Sequence, residues 1–163
     1  MTGRPTPIAT PALFRELLSG FASGITVVTA RDAKDRPHGM TASAVASLSL
    51  EPPLVLVCVD KTADLHGILA ETDAFALNVL SEEQESLSRR FAEDRSDRFD
   101  TVPHTEGFDR LPLLKDALAH ITCRKWGSYL AGDHTIYIGQ VSGGEIFQRP
   151  PLVHFRRRYG KFT

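Results

Sequence analysis

Seven small residues crowd the ten positions from Thr41 to Leu50: three Ser, three Ala and one Thr. Side chains this small make poor core. They do let the backbone approach a flat ligand closely, and hydroxyls with free N–H groups can bind phosphate oxygens. The same composition suits an edge strand with a loose serine-rich turn, so composition alone leaves both readings open. Three other clusters could do chemistry. Gly132-Asp133-His134 sits at an expected hairpin tip, where an imidazole can stack, hydrogen-bond or handle a proton. Asp60-Lys61-Thr62 stands where a strand ends and a helix begins, and helix N-termini attract anions. Arg156–Gly160, RRRYG, could hold a dinucleotide phosphate and stack a ring, or form a solvated charged tail.

These clusters must be positioned by elements that the pattern supplies. Residues 1–9 read as a flexible tail, and 10–163 as one domain. Thr10 caps a helix with Pro11 at its first position, and Leu13, Phe14, Leu17, Leu18 and Phe21 give it one apolar face. Ile25–Ala30 reads as a strand, Asp32–Arg36 as a turn, and a return strand runs from Pro37 through the small-residue segment. Leu54–Val59 follows Pro52-Pro53; apolar at every position, it predicts a strand covered on both faces. Thr62 caps a short helix with Leu65, Ile68 and Leu69 inward. Phe75–Leu80 is a strand, and Ser81 with Gln84 forms a capping-box pattern for a helix reaching about Phe91. Residues 92–111 read as a long charged loop. Ala117–Leu130 and Thr135–Phe147 form a long hairpin, and Leu152–Phe155 a last strand. Strands cluster without βαβ alternation, which predicts a mainly β, antiparallel barrel with a few flanking helices rather than a doubly wound sheet.

Several function classes are excluded by what the chain lacks. Nineteen basic against twenty acidic residues, net −1, give none of the basic excess of a nucleic-acid binder. The apolar runs are too short for a membrane helix, and MTGRPTPIATP has no signal core, so a cytoplasmic location is expected. No GxGxxG, P-loop, GxSxG or HExxH occurs. Cys58 and Cys123 are single thiols in apolar strands, and no zinc spacing or other metal set is present.

Taken in order, Gly24–Thr29, Gly39-Met40-Thr41-Ala42-Ser43, Ser47–Val55, Asn78-Val79-Leu80, Gly132-Asp133-His134 and Tyr159-Gly160 resemble the flavin reductase-like, FMN-binding split-barrel family. The resemblance covers about residues 12–161 and is nearest to reductase components of two-component flavin-dependent monooxygenases. It implies a six-stranded antiparallel Greek-key split β-barrel and a homodimer with flavin near the subunit interface. It implies reduction of FMN or FAD by NADH or NADPH, with reduced flavin passed to a separate oxygenase. A flavoprotein that retains its flavin and reduces an organic substrate, or a non-catalytic flavin-binding module, remains the alternative.

By position, the resemblance places Thr41, Ala42, Ser43 and Ala44 along the isoalloxazine edge. It places Ser47, Lys61, Thr62 and Ala63 at the phosphate, with Asn78 and Phe91 near the flavin. His134, Arg157, Arg158, Tyr159 and Gly160 fall on the nicotinamide side, His134 as the catalytic candidate. Ala44 and Ala46 depart from the hydroxyl residues frequent in relatives, which points to a loosely held flavin.

Overall fold

The computed structural model describes residues 8–162. The expected tail, 1–9, falls almost wholly outside that range. In chain order the elements are α1 (Pro11–Leu18), β1 (Ser23–Gly24), β2 (Thr26–Arg31), β3 (Pro37–Ala42), β4 (Val45–Ser49) and β5 (Leu54–Asp60). Then come α2 (Asp64–Glu71), β6 (Ala74–Val79), α3 (Glu85–Ala92), β7 (His104–Glu106) and β8 (Pro112–Leu114). The chain ends with β9 (Ala119–Ala131), β10 (His134–Ile146), β11 (Leu152–Phe155) and β12 (Arg158–Lys161). The architecture is mainly β, with antiparallel sheets and few helices.

The main sheet holds seven strands in the order β3-β2-β6-β9-β10-β5-β4, where six were expected. Its two edge strands, β3 and β4, are consecutive in the chain and separated only by Ser43 and Ala44. A two-residue link spans less than about 15 Å even when extended, so the sheet must roll until its edges approach at that corner. Among the described residues no ladder joins β3 to β4, so the sheet is rolled but not closed. The return strand expected to run through the small-residue segment is therefore broken in two, one piece at each edge.

The inside of the roll is filled by Val28, Val57, Val59, Phe75, Leu77 and Tyr137, with Leu65 and Leu69 of α2 closing one side. A second cluster of Ile25, Val27, Leu80, Phe91, Leu114 and Leu152 seats α3. Burial of such side chains removes their apolar area from water at roughly 25 cal/mol per Å².

The Thr10 hydroxyl accepts from the Leu13 N–H at 3.2 Å, as a cap should. The apolar face of α1, however, has no partner among the described residues: Leu13, Phe14, Leu17, Leu18 and Phe21 are all exposed. Thr62 does not cap α2; that position is Ala63, without a side-chain bond. The Ser81–Gln84 capping box is present and leads through a short 3-10 turn into α3. Strand β12 was not expected: the RRRYG segment is no tail but pairs back on β11.

Candidate functional site

The Ser43-Ala44 link is exposed, while Ala42 points into the core. As the outermost strand, β3 pairs only with β2 and turns alternate backbone N–H groups to its open side. Beyond the link, the Cys58 N–H donates to the Ala44 carbonyl at 3.0 Å, fixing the link beside β5. Two residues further along β5, Asp60 pairs with His134. The register thus brings the small-residue link to the same end of the sheet as the β9–β10 hairpin tip.

That tip is fastened to the end of β5. The Lys61 N–H donates to the Asp133 carbonyl at 3.0 Å, and the Lys61 ammonium to the Gly132 carbonyl at 2.7 Å. The His134 Nδ1 lies 2.8 Å from Asp133 Oδ1, and this bond holds the Asp133 carboxyl below its usual range. No protein partner bonds the His134 Nε2 among the described residues, and the side chain is 42% exposed. The ring is anchored at one nitrogen and presents the other.

The Lys61-Thr62-Ala63 loop is a poorer anion site than expected. Thr62 donates both its N–H and its hydroxyl to Asp60 Oδ1, each at 2.7 Å. The Ala63 N–H donates to the Asp60 carbonyl at 3.1 Å. Thr62 first, then the charges of His134 and His66, keep the Asp60 carboxyl ionised below its usual range. With these donors committed beside a carboxylate, the Lys61 ammonium is the group here with N–H bonds left for a phosphate.

Three residues expected near the flavin have other partners in this structure. Asn78 is fully buried; its amide donates to the Val27 carbonyl and Thr29 Oγ1, and its oxygen accepts from the Leu114 N–H. Phe91 is also fully buried, its ring so close under β3 that a Cβ on Gly39 would stand 2.8 Å from it. Both residues are fully buried and tie β2, β3 and β8 together. Ser47 pairs with Val55, six positions from Lys61 on β5, or about 20 Å at the usual strand rise. Within one chain Ser47 and Lys61 cannot hold the same phosphate.

Helix α3 joins two of the expected segments. The Thr41 hydroxyl donates to the Ser88 carbonyl at 2.7 Å, and the Ser88 hydroxyl lies 2.9 Å from the Tyr159 hydroxyl. Arg89 stands over the Tyr159 ring, 4.8 Å from its centroid. Arg157, Arg158 and Gly160 are exposed around it. Sequence reasoning missed Ser88. The available signal was its place at the middle of the buried stripe Gln84, Ser88, Phe91, a polar residue on the i, i+4, i+7 face of a helix.

Comparisons with known proteins identify the family. The flavin reductase-like domain model matches residues 18–163. The reductase component of a Thermus thermophilus 4-hydroxyphenylacetate 3-monooxygenase is 42% identical over 151 residues, covering 92% of this chain and 95% of that protein. A Rhizobium meliloti relative, "Probable flavin reductase", is 42% identical over 135 residues, 83% of this chain, and the chain spans 43% of its length. The Streptomyces globisporus NADH:FAD oxidoreductase, solved in complex with NAD and FAD fragments, superposes with a TM-score of 0.89. It is 36% identical, and the match covers 97% of this chain and 98% of that one. The chain belongs to the flavin reductase-like domain family.

Proposed function

We propose that this chain is an NADH-dependent flavin reductase that supplies reduced FAD or FMN to a separate flavin-dependent monooxygenase. The observation that carries this reading is the corner where Ser43-Ala44, the Lys61 ammonium and the anchored His134 ring converge. Relatives named as NADH-dependent flavin reductases and as reductase components of two-component monooxygenases support it.

The residues present fit a flavin at the β3–β4 link, where small exposed side chains and open-edge backbone admit a planar ring. A flavin held there would supply the redox chemistry, accepting a hydride, two electrons and a proton, from the reduced nicotinamide. The chain's own work is positional. Thr41–Ala44 lie along the ring, with Thr41 limited to accepting because its hydroxyl proton is committed to Ser88. Lys61 supplies positive charge for the phosphate, in place of the Thr62 and Ala63 donors. His134, held by Asp133, orients the nicotinamide through its open edge, and Arg157–Gly160 hold the rest of the dinucleotide. NADH over NADPH follows the names of the relatives.

A second copy of this chain completes the site. Strand β5 is apolar from Leu54 to Val59, yet Leu54, Leu56 and Cys58 are only half-buried, and so are Ile136 and Ile138 opposite them. Tyr129, paired with Ile136, extends this outer face, and His134 stands at its end beside Asp60. A homodimer packed on this face covers the side that the sequence predicts to be buried and sets His134 at the interface. In that assembly the rolled sheet serves as a split barrel. No helix among the described residues is long and apolar enough to cross a membrane. Two free thiols support a cytoplasmic location.

The test is nicotinamide oxidation by NADH and NADPH with riboflavin, FMN and FAD in turn. Rapid NADH oxidation with any flavin is expected, and none with all three would end the proposal. His134→Ala should slow turnover with flavin affinity nearly unchanged. Ile138→Lys should convert a dimer into a monomer on sedimentation; a monomeric parent protein would remove the assembly.

A further inference from the structure

We propose that Ser88 is a positioning residue that couples flavin binding at Thr41 to dinucleotide binding at Tyr159. The proposal rests on the flavin reductase reading above and adds to it a path between the two ligands.

The path is short and continuous. Thr41 lies on the edge strand β3 and Tyr159 on β12, in different sheets that share no ladder. Between them stands one helical turn. The Ser88 backbone carbonyl accepts from the Thr41 hydroxyl at 2.7 Å, and the Ser88 side chain meets the Tyr159 hydroxyl at 2.9 Å. Ser88 is fully buried, so neither bond is traded freely with water.

Both ends are held from outside. Arg89, one residue along, covers the Tyr159 ring, and Glu85 Oε1 receives its guanidinium at 2.9 and 2.7 Å. His154 packs edge-on against the same ring at 5.5 Å. On the other side, the Phe91 ring is wedged under Gly39, two residues before Thr41, with no room for a Cβ. Helix α3 therefore cannot shift against β3 without moving Phe91. Displacement at Tyr159 is passed through Ser88 to the Thr41 hydroxyl rather than absorbed.

A buried serine in mid-helix has an alternative, which is to bond back to the carbonyl three or four residues earlier. Tyr159 competes with that state. Loading the Tyr159–Gly160 segment with a dinucleotide holds Tyr159 in place, keeps Ser88 turned towards it and fixes the Ser88 carbonyl that orients Thr41. By linkage the effect is reciprocal: flavin at Thr41 tightens dinucleotide binding by the same factor.

The experiment is a flavin titration by fluorescence quenching, with and without saturating NAD+, which binds but does not reduce. The parent protein should bind flavin about 3–10-fold more tightly with NAD+ present, the worth of one net hydrogen bond. Tyr159→Phe, which removes one oxygen, and Ser88→Ala should each bring that ratio to about one. Thr41→Val should do the same from the other end, Thr41→Ser should keep the ratio, and Thr41→Val with Tyr159→Phe should lose no more than either alone. A ratio of one in the parent, or a ratio unchanged in Tyr159→Phe, overturns the coupling. Those outcomes leave the flavin reductase reading intact if the parent binds flavin and oxidises NADH. A parent that quenches no flavin fluorescence overturns that reading instead.

Discussion

The Lys61 ammonium donates to the Gly132 carbonyl at 2.7 Å, tying the end of β5 to a hairpin tip 71 positions away. One of its three N–H bonds is used; the backbone N–H groups of residues 61, 62 and 63 are all used. Lys61→Ala therefore removes the cation with donors to spare in this loop. An exposed charge of this kind contributes about 1 kcal/mol, so FMN should bind roughly fivefold more weakly. Riboflavin, which has no phosphate, should bind as before. Equal losses for FMN and riboflavin would show that Lys61 shapes the tip rather than meeting phosphate.

Ala44 is the position where a hydroxyl can be restored with least disturbance. Its side chain is exposed, and its carbonyl is already taken by the Cys58 N–H. Ala44→Ser adds one donor beside the small-residue link without touching the core. Flavin affinity should rise by up to about tenfold, the upper end for one net hydrogen bond, with little change in Tm. A dissociation constant the same as the parent's would mean that this side chain does not face the ligand, and the loosely held flavin would need another cause.

Local signals carried most of the fold. Thr10 with Pro11, Ser81 with Gln84, and Gly132-Asp133 each act within a few residues, and each marked its element. Long-range pairing was not legible. Nothing in the segment around Ser47 reveals that it faces Val55 rather than the end of β5, because register is set by the whole sheet. The family resemblance puts Asn78 near the flavin; its three partners come from β2 and the β8 segment and are invisible locally. Strand β12 was missed because a two-residue hairpin is usually signalled by Asn-Gly, and here the turn is Arg156-Arg157.

The β2–β3 turn should make stability depend on acid. Asp32 Oδ1 accepts from the backbone N–H groups of Lys34 and Arg36, both at 2.9 Å. Its Oδ2 lies 2.8 Å from Arg36 Nε and 3.1 Å from His38 Nε2. The Arg36 backbone bond most of all, then the Arg36 and His38 side chains, holds the carboxyl far below the usual range. A carboxyl depressed in the folded state stabilises the fold above its ordinary value of about 4, and that contribution is lost as pH falls below it. Asp32→Asn keeps an oxygen for the two backbone donors but loses the charge. Its Tm should be lower than the parent's at neutral pH, and should fall less on acidification to about pH 3. Parallel curves for the two proteins would remove Asp32 as the source.

Arg156 and Arg157 occupy a two-residue turn with φ of 47° and 62°, closed by the Phe155–Arg158 pair. Both values lie in the left-handed region, which costs a residue with a side chain roughly 1 kcal/mol or more. Asn-Gly would fill the same turn with less strain. Arg156→Asn with Arg157→Gly should therefore stabilise the chain by about 1–2 kcal/mol, or roughly 2–8 °C in Tm for a domain of this size. The strain is understandable if the guanidiniums are needed where they stand, beside Tyr159 against the rest of the dinucleotide. The double variant should then show a KM for NADH raised at least threefold, with flavin affinity within about twofold of the parent, a factor equal to under 0.5 kcal/mol. Higher Tm with an unchanged KM would make the pair a turn and nothing more, and would leave Tyr159 and Gly160 as the dinucleotide contacts on this strand.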